Sequence, residues 1–170
     1  MLFRSINKVA ESGIITLNLE DYLPKQEIIV FDIKDYLFMG LILKEKEFRQ
    51  SLKGLDLSKY KEKIVSIICS IDAVIPMWAY MLIVSTINTV ALDVIIGTSS
   101  EVTNKLQLKN IQNINTEDFR DKRVVIKGCG ENPISEEAYL EITKKLLPVV
   151  KSIMYGEPCS TVPVFKKKSD

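Results

Sequence analysis

Cys69, Cys129 and Cys159 are the only thiols in a chain of 170 residues that contains no histidine. Without imidazole there is no usual general base, no commonest zinc ligand and no Ser/His/Asp or Cys/His triad. Acid–base work would fall to carboxylates, lysines, tyrosines or the thiols themselves. Three thiolates without histidine suit zinc or an iron–sulfur cluster, with the fourth position taken by Asp72, Glu157 or an external ligand. An open fourth position would allow transfer or catalysis. A lone reactive thiol in sulfur or acyl transfer needs fewer assumptions but lacks an evident base. Inert packing is the plainest alternative for each cysteine, because an unpaired cysteine behaves as a small buried hydrophobe.

The elements that would position these residues follow from the apolar pattern. Ile14 to Leu19 and Ile28 to Ile33 are short and rich in β-branched residues, and the turn Leu23-Pro24-Lys25 separates them, so they predict an antiparallel pair. Leu37 to Leu43 reads as a third extended piece before an amphipathic helix over 44–53, closed by Gly54. The second half alternates strands and helices. Strands are predicted at 63–69, 93–97 and 123–127, and helices at 76–91, from about 99, and from Ser135 toward Tyr155. Fold class is therefore α/β: a three-layer-like mixed sheet with a parallel βαβαβ core, preceded by the N-terminal antiparallel pair, in a single domain over 1–170. No internal repeat stands out.

On this plan Cys69 ends the first parallel strand, and Cys129 follows the third within Gly128-Cys129-Gly130. Both then fall at the carboxyl edge of one sheet, where open α/β sheets bind ligands. A strand order 2-1-3 brings them within roughly one strand spacing of 4.8 Å, whereas 1-2-3 doubles the separation. The helix opening at Pro76 would aim its free amides at that edge and favour a thiolate on Cys69. Asp72 in the same turn is a metal ligand or proton acceptor on one reading, and a turn or capping carboxylate on the other. Cys159 lies in Gly156-Glu157-Pro158-Cys159-Ser160-Thr161-Val162-Pro163. A straight helix from Ser135 to Tyr155 would span roughly 30 Å and deliver it to the opposite edge. Pro148, by breaking that helix, or a second subunit would have to bring the loop back.

Composition narrows the function. Basic and acidic residues number 23 and 22, for a net charge of +1, and they are interleaved, so no broad field gathers nucleic acid or anionic lipid. An odd cysteine count without close spacing, and an N-terminus without a basic-then-apolar leader, read as a cytoplasmic protein without structural disulfides. The apolar stretch from Ile75 to Leu92 contains Pro76, Ser85, Thr86, Asn88 and Thr89, which favours a buried helix over a membrane span. Trp78, Tyr80 and Met81 within it read as core packing rather than a pocket wall. There is no G-x-G-x-x-G, Walker phosphate loop or calcium loop.

Four stretches resemble the bacterial family catalogued as domain of unknown function 2480. They are VFDIKDYLFMGLILKEKEFR (Val30 to Arg49), CSIDAVIPMWAYML (Cys69 to Leu82), VVIKGC (Val124 to Cys129) and LPVVKSIMYGEPCSTVPVFK (Leu147 to Lys166). The match includes all three cysteines and Asp72. The resemblance implies encoding beside iron–sulfur assembly genes, and hence an accessory protein of metal or iron–sulfur metabolism, with iron–sulfur assembly proteins as partners. Cys69, Cys129 and Cys159, with Asp72, would then hold zinc or a cluster. A thiol enzyme or sulfur carrier, and a homodimeric interaction module with packed cysteines, are the alternatives.

Overall fold

Strand and helix signals convert into twelve elements in a computed structural model that describes residues 7–8, 13–128, 130–157 and 159–168. They are β1 (Asn7–Lys8), β2 (Ile14–Asn18), β3 (Ile28–Asp32), α1 (Glu45–Lys53), β4 (Ile64–Ile68), α2 (Met77–Ile87), β5 (Asp93–Ile96), α3 (Ser99–Gln112), β6 (Arg123–Lys127), α4 (Glu136–Leu146), β7 (Ser152–Glu157) and β8 (Ser160–Lys166). The class is mixed α/β, with two sheets in place of one. One sheet has the order β1-β2-β6-β7-β8 and the other β3-β4-β5. The chain correspondingly divides into a continuous unit, Lys25–Val102, and a split unit, Met1–Pro24 with Thr103–Asp170.

Three expectations change. The first two predicted strands do not pair with each other: β2 lies parallel to β6, and β3 parallel to β4. β2 alternates buried and half-buried residues, and β3 buries Phe31 while Val30 stays exposed. The segment from Leu37 to Leu43 forms only an isolated bridge between Phe38 and Ile42, around a turn with Met39 and Gly40 at positive φ. The last helix stops at Leu146, and residues 152–157 form β7, parallel to β6. Pro148 explains the stop, because it lacks an N–H and its ring clashes with the preceding turn.

An internal duplication, which the sequence pattern did not reveal, organises the two units. β4, α2 and the start of β5 recur as β6, α4 and the start of β7 at a constant shift of 59 residues (64 to 123, 77 to 136, 93 to 152). Details of the backbone recur with them. Glu62 and Asp121 share φ near 58°, and each donates its amide to a residue beyond the following helix, Val90 and Val149. Leu92 donates to the Lys63 carbonyl as Lys151 does to Lys122, both at 2.8 Å. Gly97 and Gly156 both take positive φ.

The first strand of each repeat follows a different shift, 14 residues, from β2 to β3. Asn18 accepts from the Glu20 amide, and Asp32 from the Lys34 amide, each at 3.1 Å. The registers coincide: Ile14 faces Arg123 as Ile28 faces Ile64. Each repeat is thus a three-strand parallel sheet with its second strand central, and the two cores match position for position. Leu17, Leu19, Phe119, Ile126, Ile142 and Leu146 of one correspond to Phe31, Ile33, Tyr60, Ile67, Ile83 and Ile87 of the other.

Candidate functional site

The duplication decides which cysteines share a sheet edge. Cys69 follows β4 in the continuous unit, whereas the strand that precedes Cys129 in sequence, β6, belongs to the other sheet. Neither predicted strand order applies, and the argument for Cys69 and Cys129 at a common edge falls. Cys129 itself lies outside the described residues. Its neighbours Gly128 and Gly130 follow β6, and the hydrogen-bonded parallel neighbour of β6 is β7, whose end leads to Cys159. For the approach to Cys159, the break at Pro148 is found and not the straight helix that would lead to the far edge. With α4 ended at Leu146, the chain runs back along β6 rather than onward as helix.

At this edge the strand ends are laced together. Lys127, the last residue of β6, pairs with Glu157, the last of β7, at 3.1 Å. Ion pairs this exposed contribute little stability and serve mainly to orient. Cys159 is exposed in the turn from β7 to β8, where Glu157 faces Ser160. Gly156 sits at φ 112°, and a Cβ there would come within 2.7 Å of the Ser160 carbonyl, so only glycine allows this hairpin. On the other side, Glu20 accepts the backbone amide of Asn132 at 2.8 Å and its side-chain amide at 3.3 Å. Its carboxylate occupies the space a Cβ on Gly130 would need. The Tyr139 hydroxyl lies in the same way against Gly128. Both glycines flanking Cys129 thus leave room for the ends of other side chains, which a Cβ there would have to displace. Beside this edge, Ile126, Tyr139, Ile153, Tyr155 and Val164 line a cleft of about 350 Å³, with the two tyrosine rings edge to face at 5.8 Å.

The corresponding edge of the continuous unit is built differently. Cys69 is half-buried, packs against the core of its own unit, and its Sγ donates to the Ile71 carbonyl at 3.3 Å. Ser70 gives its amide to Asp32 at 3.1 Å. Burial pushes the Asp32 carboxyl up, but the Ser70 side chain and amide, the Lys34 amide and the Lys34 ammonium together hold it below the ordinary aspartate range. Asp72 is exposed on the loop that follows, and the cap of α2 at Pro76 makes no side-chain hydrogen bond. Asp72 therefore does not cap that helix. Among the described residues, no group of three or more Cys, Asp or Glu is gathered to hold a metal ion.

Glu20, Asp32, Ser70, Tyr139 and Lys127 escaped sequence reasoning, and Glu157, expected as a possible metal ligand, pairs with Lys127. The one available signal was the repeated pattern Ile-Ile-x-x-Asx-x-x-Asp-Tyr-Leu at 14–23 and 28–37, which marks Asn18 and Asp32 as equivalent strand ends. α2 spans 11 residues, and among the described residues no helix is long and apolar enough to cross a membrane.

Fold and site together define a duplicated α/β protein whose split unit carries a cysteine-bearing hairpin at the carboxyl edge of its sheet. The chain belongs to the family described as Protein of unknown function (DUF2480), which matches residues 4–167. No curated protein and no solved structure matches it.

Proposed function

We propose that the protein is an accessory factor that holds a single thiophilic metal ion through Cys129 and Cys159, in place of the four-residue set with Cys69 and Asp72. The observation that carries this reading is the parallel pairing of β6 with β7, closed at its end by Lys127 and Glu157. Cys129 is bonded to Gly128 and Gly130, and Cys159 belongs to the hairpin that leaves the neighbouring strand. Adjacent strands stand about 4.8 Å apart, a spacing that lets two thiolates share one ion. A cubane cluster wants four thiolates, so a two-cysteine set suits one soft ion such as Zn²⁺. Two protein ligands leave coordination positions for donors from a partner, which suits transfer between proteins better than storage. Cys69, whose thiol is engaged with its own loop, stays outside the site.

Anaerobically purified protein titrated with Zn²⁺ against a chromogenic chelator tests the proposal. One ion per chain is expected, with release of protons as the thiols ionise. Cys129→Ser and Cys159→Ser should each weaken binding by at least about tenfold, while Cys69→Ser should leave it unchanged. Binding that depends on Cys69, or no binding in the reduced wild type, would overturn the reading.

A further inference from the structure

The continuous unit exposes apolar side chains on and just before α2 where the equivalent helix of the other unit is largely charged. Met77 and Met81 on α2 are 71% and 72% exposed, and Val74 just before the helix is 89% exposed. Met77 and Met81, four residues apart, lie on one face of α2. The turn containing Phe38, Met39, Leu41 and Ile42 is exposed as well, Met39 to 78%. Ile71 joins the two areas, because its side chain lies 3.8 Å from where a Cβ on Gly40 would stand. Together these residues expose on the order of 1,000 Å², above the roughly 300–600 Å² of the largest patch on an ordinary monomer.

The duplication supplies an internal control. The positions of α4 that correspond to Met77, Met81 and Val84 hold Glu136, Leu140 and Thr143 (77 to 136, 81 to 140, 84 to 143). Helix α2 carries no charged residue, whereas α4 carries Glu136, Glu137, Glu141, Lys144 and Lys145. Two helices with one place in the fold thus differ in whether their outer face is suited to water. The face of α2 is the one that needs covering.

We infer that this surface is covered by a second copy of the chain, in a two-fold dimer built on α2 and the turn at 38–42. The inference is independent of the metal reading, since it concerns the other unit. Area supports it, because a stable dimer buries about 800 Å² per partner and the patch supplies that much. Beside this patch, Lys44 pairs with Glu47 at 3.4 Å and lies over the Phe38 ring, and Lys34 pairs with Asp32 at 3.8 Å, while Asp72, between Ile71 and Val74 in the sequence, is exposed. An exposed carboxylate there disfavours an anionic membrane as the covering surface. Methionine side chains suit the centre of such a contact because they repack at little cost.

Sedimentation velocity on the reduced full chain from about 1 to about 100 µM tests the inference. A dimer is expected for the wild type and for Leu140→Glu. The double variant Met77→Glu/Met81→Glu should raise the dissociation constant by a factor on the order of 100, with an unchanged circular dichroism spectrum. Should that variant fail to fold, peroxide footprinting of the wild type decides. Met39, Met77 and Met81 should oxidise more slowly as concentration rises, and Met154 at an unchanged rate. A monomer throughout, or a folded double variant that still dimerises, overturns the inference. So does a wild-type monomer that sediments with neutral lipid vesicles.

Discussion

Asp32 and Asn18 occupy the same place in the two repeats, and the difference between them has a measurable consequence. The Asp32 carboxyl is held below its unfolded value, so its contribution to stability is complete at neutral pH. It is lost as pH falls through the unfolded value near 4 toward the lower folded one. Asp32→Asn, which installs the residue of the other repeat, should be less stable than the wild type at pH 7. The two should converge as pH falls below the folded value of Asp32, and urea melts at a series of pH values check this. Gly128 offers a second test. Gly128→Ala forces a methyl against the Tyr139 hydroxyl and should cost about 1–3 kcal/mol, part of which Tyr139→Phe recovers. A double-mutant cycle by denaturant unfolding measures that coupling. None of these pairings was legible in advance, because each joins residues brought together only by the sheet: Asp32 with Ser70, Glu20 with Asn132, Lys127 with Glu157.

Elements are where the sequence was most readable. Local patterns settled α1 with Gly54 at its end, and β4, β5 and β6, because each is a short β-branched run or a helix with clear stops. The stretch from Ser152 to Glu157 escaped. It continues the apolar pattern of α4 past Pro148, and periodicity over so few residues does not separate helix from strand. What settles it is pairing on both sides, with β6 and with β8. Gly156→Ala should therefore cost about 1–3 kcal/mol through its left-handed φ and the Ser160 carbonyl, and should change the alkylation rate of Cys159 but not of Cys69. Within the cores, Ile83 and Ile142 are fully buried at equivalent positions of α2 and α4. Ile83→Ala and Ile142→Ala should each cost about 2–5 kcal/mol, read from thermal or urea unfolding.

At the scale of the whole chain, the duplication stayed hidden for a physical reason. Its strands obey two shifts, 14 residues for the first strand and 59 for the rest, so no single period exists to be found. Identity is kept at scattered positions, buried ones such as Ala79 and Ala138 or Ile83 and Ile142 and a few others such as Tyr80 and Tyr139, while the outer faces of the two helices diverge from apolar to charged. Partition into two sheets is likewise a long-range fact: β2 pairs with a strand more than a hundred residues away. That partition moved the candidate site from Cys69 with Cys129 to Cys129 with Cys159. Mild oxidation of the reduced protein followed by peptide mapping tests this most directly, since a disulfide forms only where Cα atoms come within about 7 Å. The account predicts an intramolecular link between Cys129 and Cys159 with Cys69 left free. A link from Cys69 to either of the others within one chain, or no link with all three thiols oxidising independently, would contradict it.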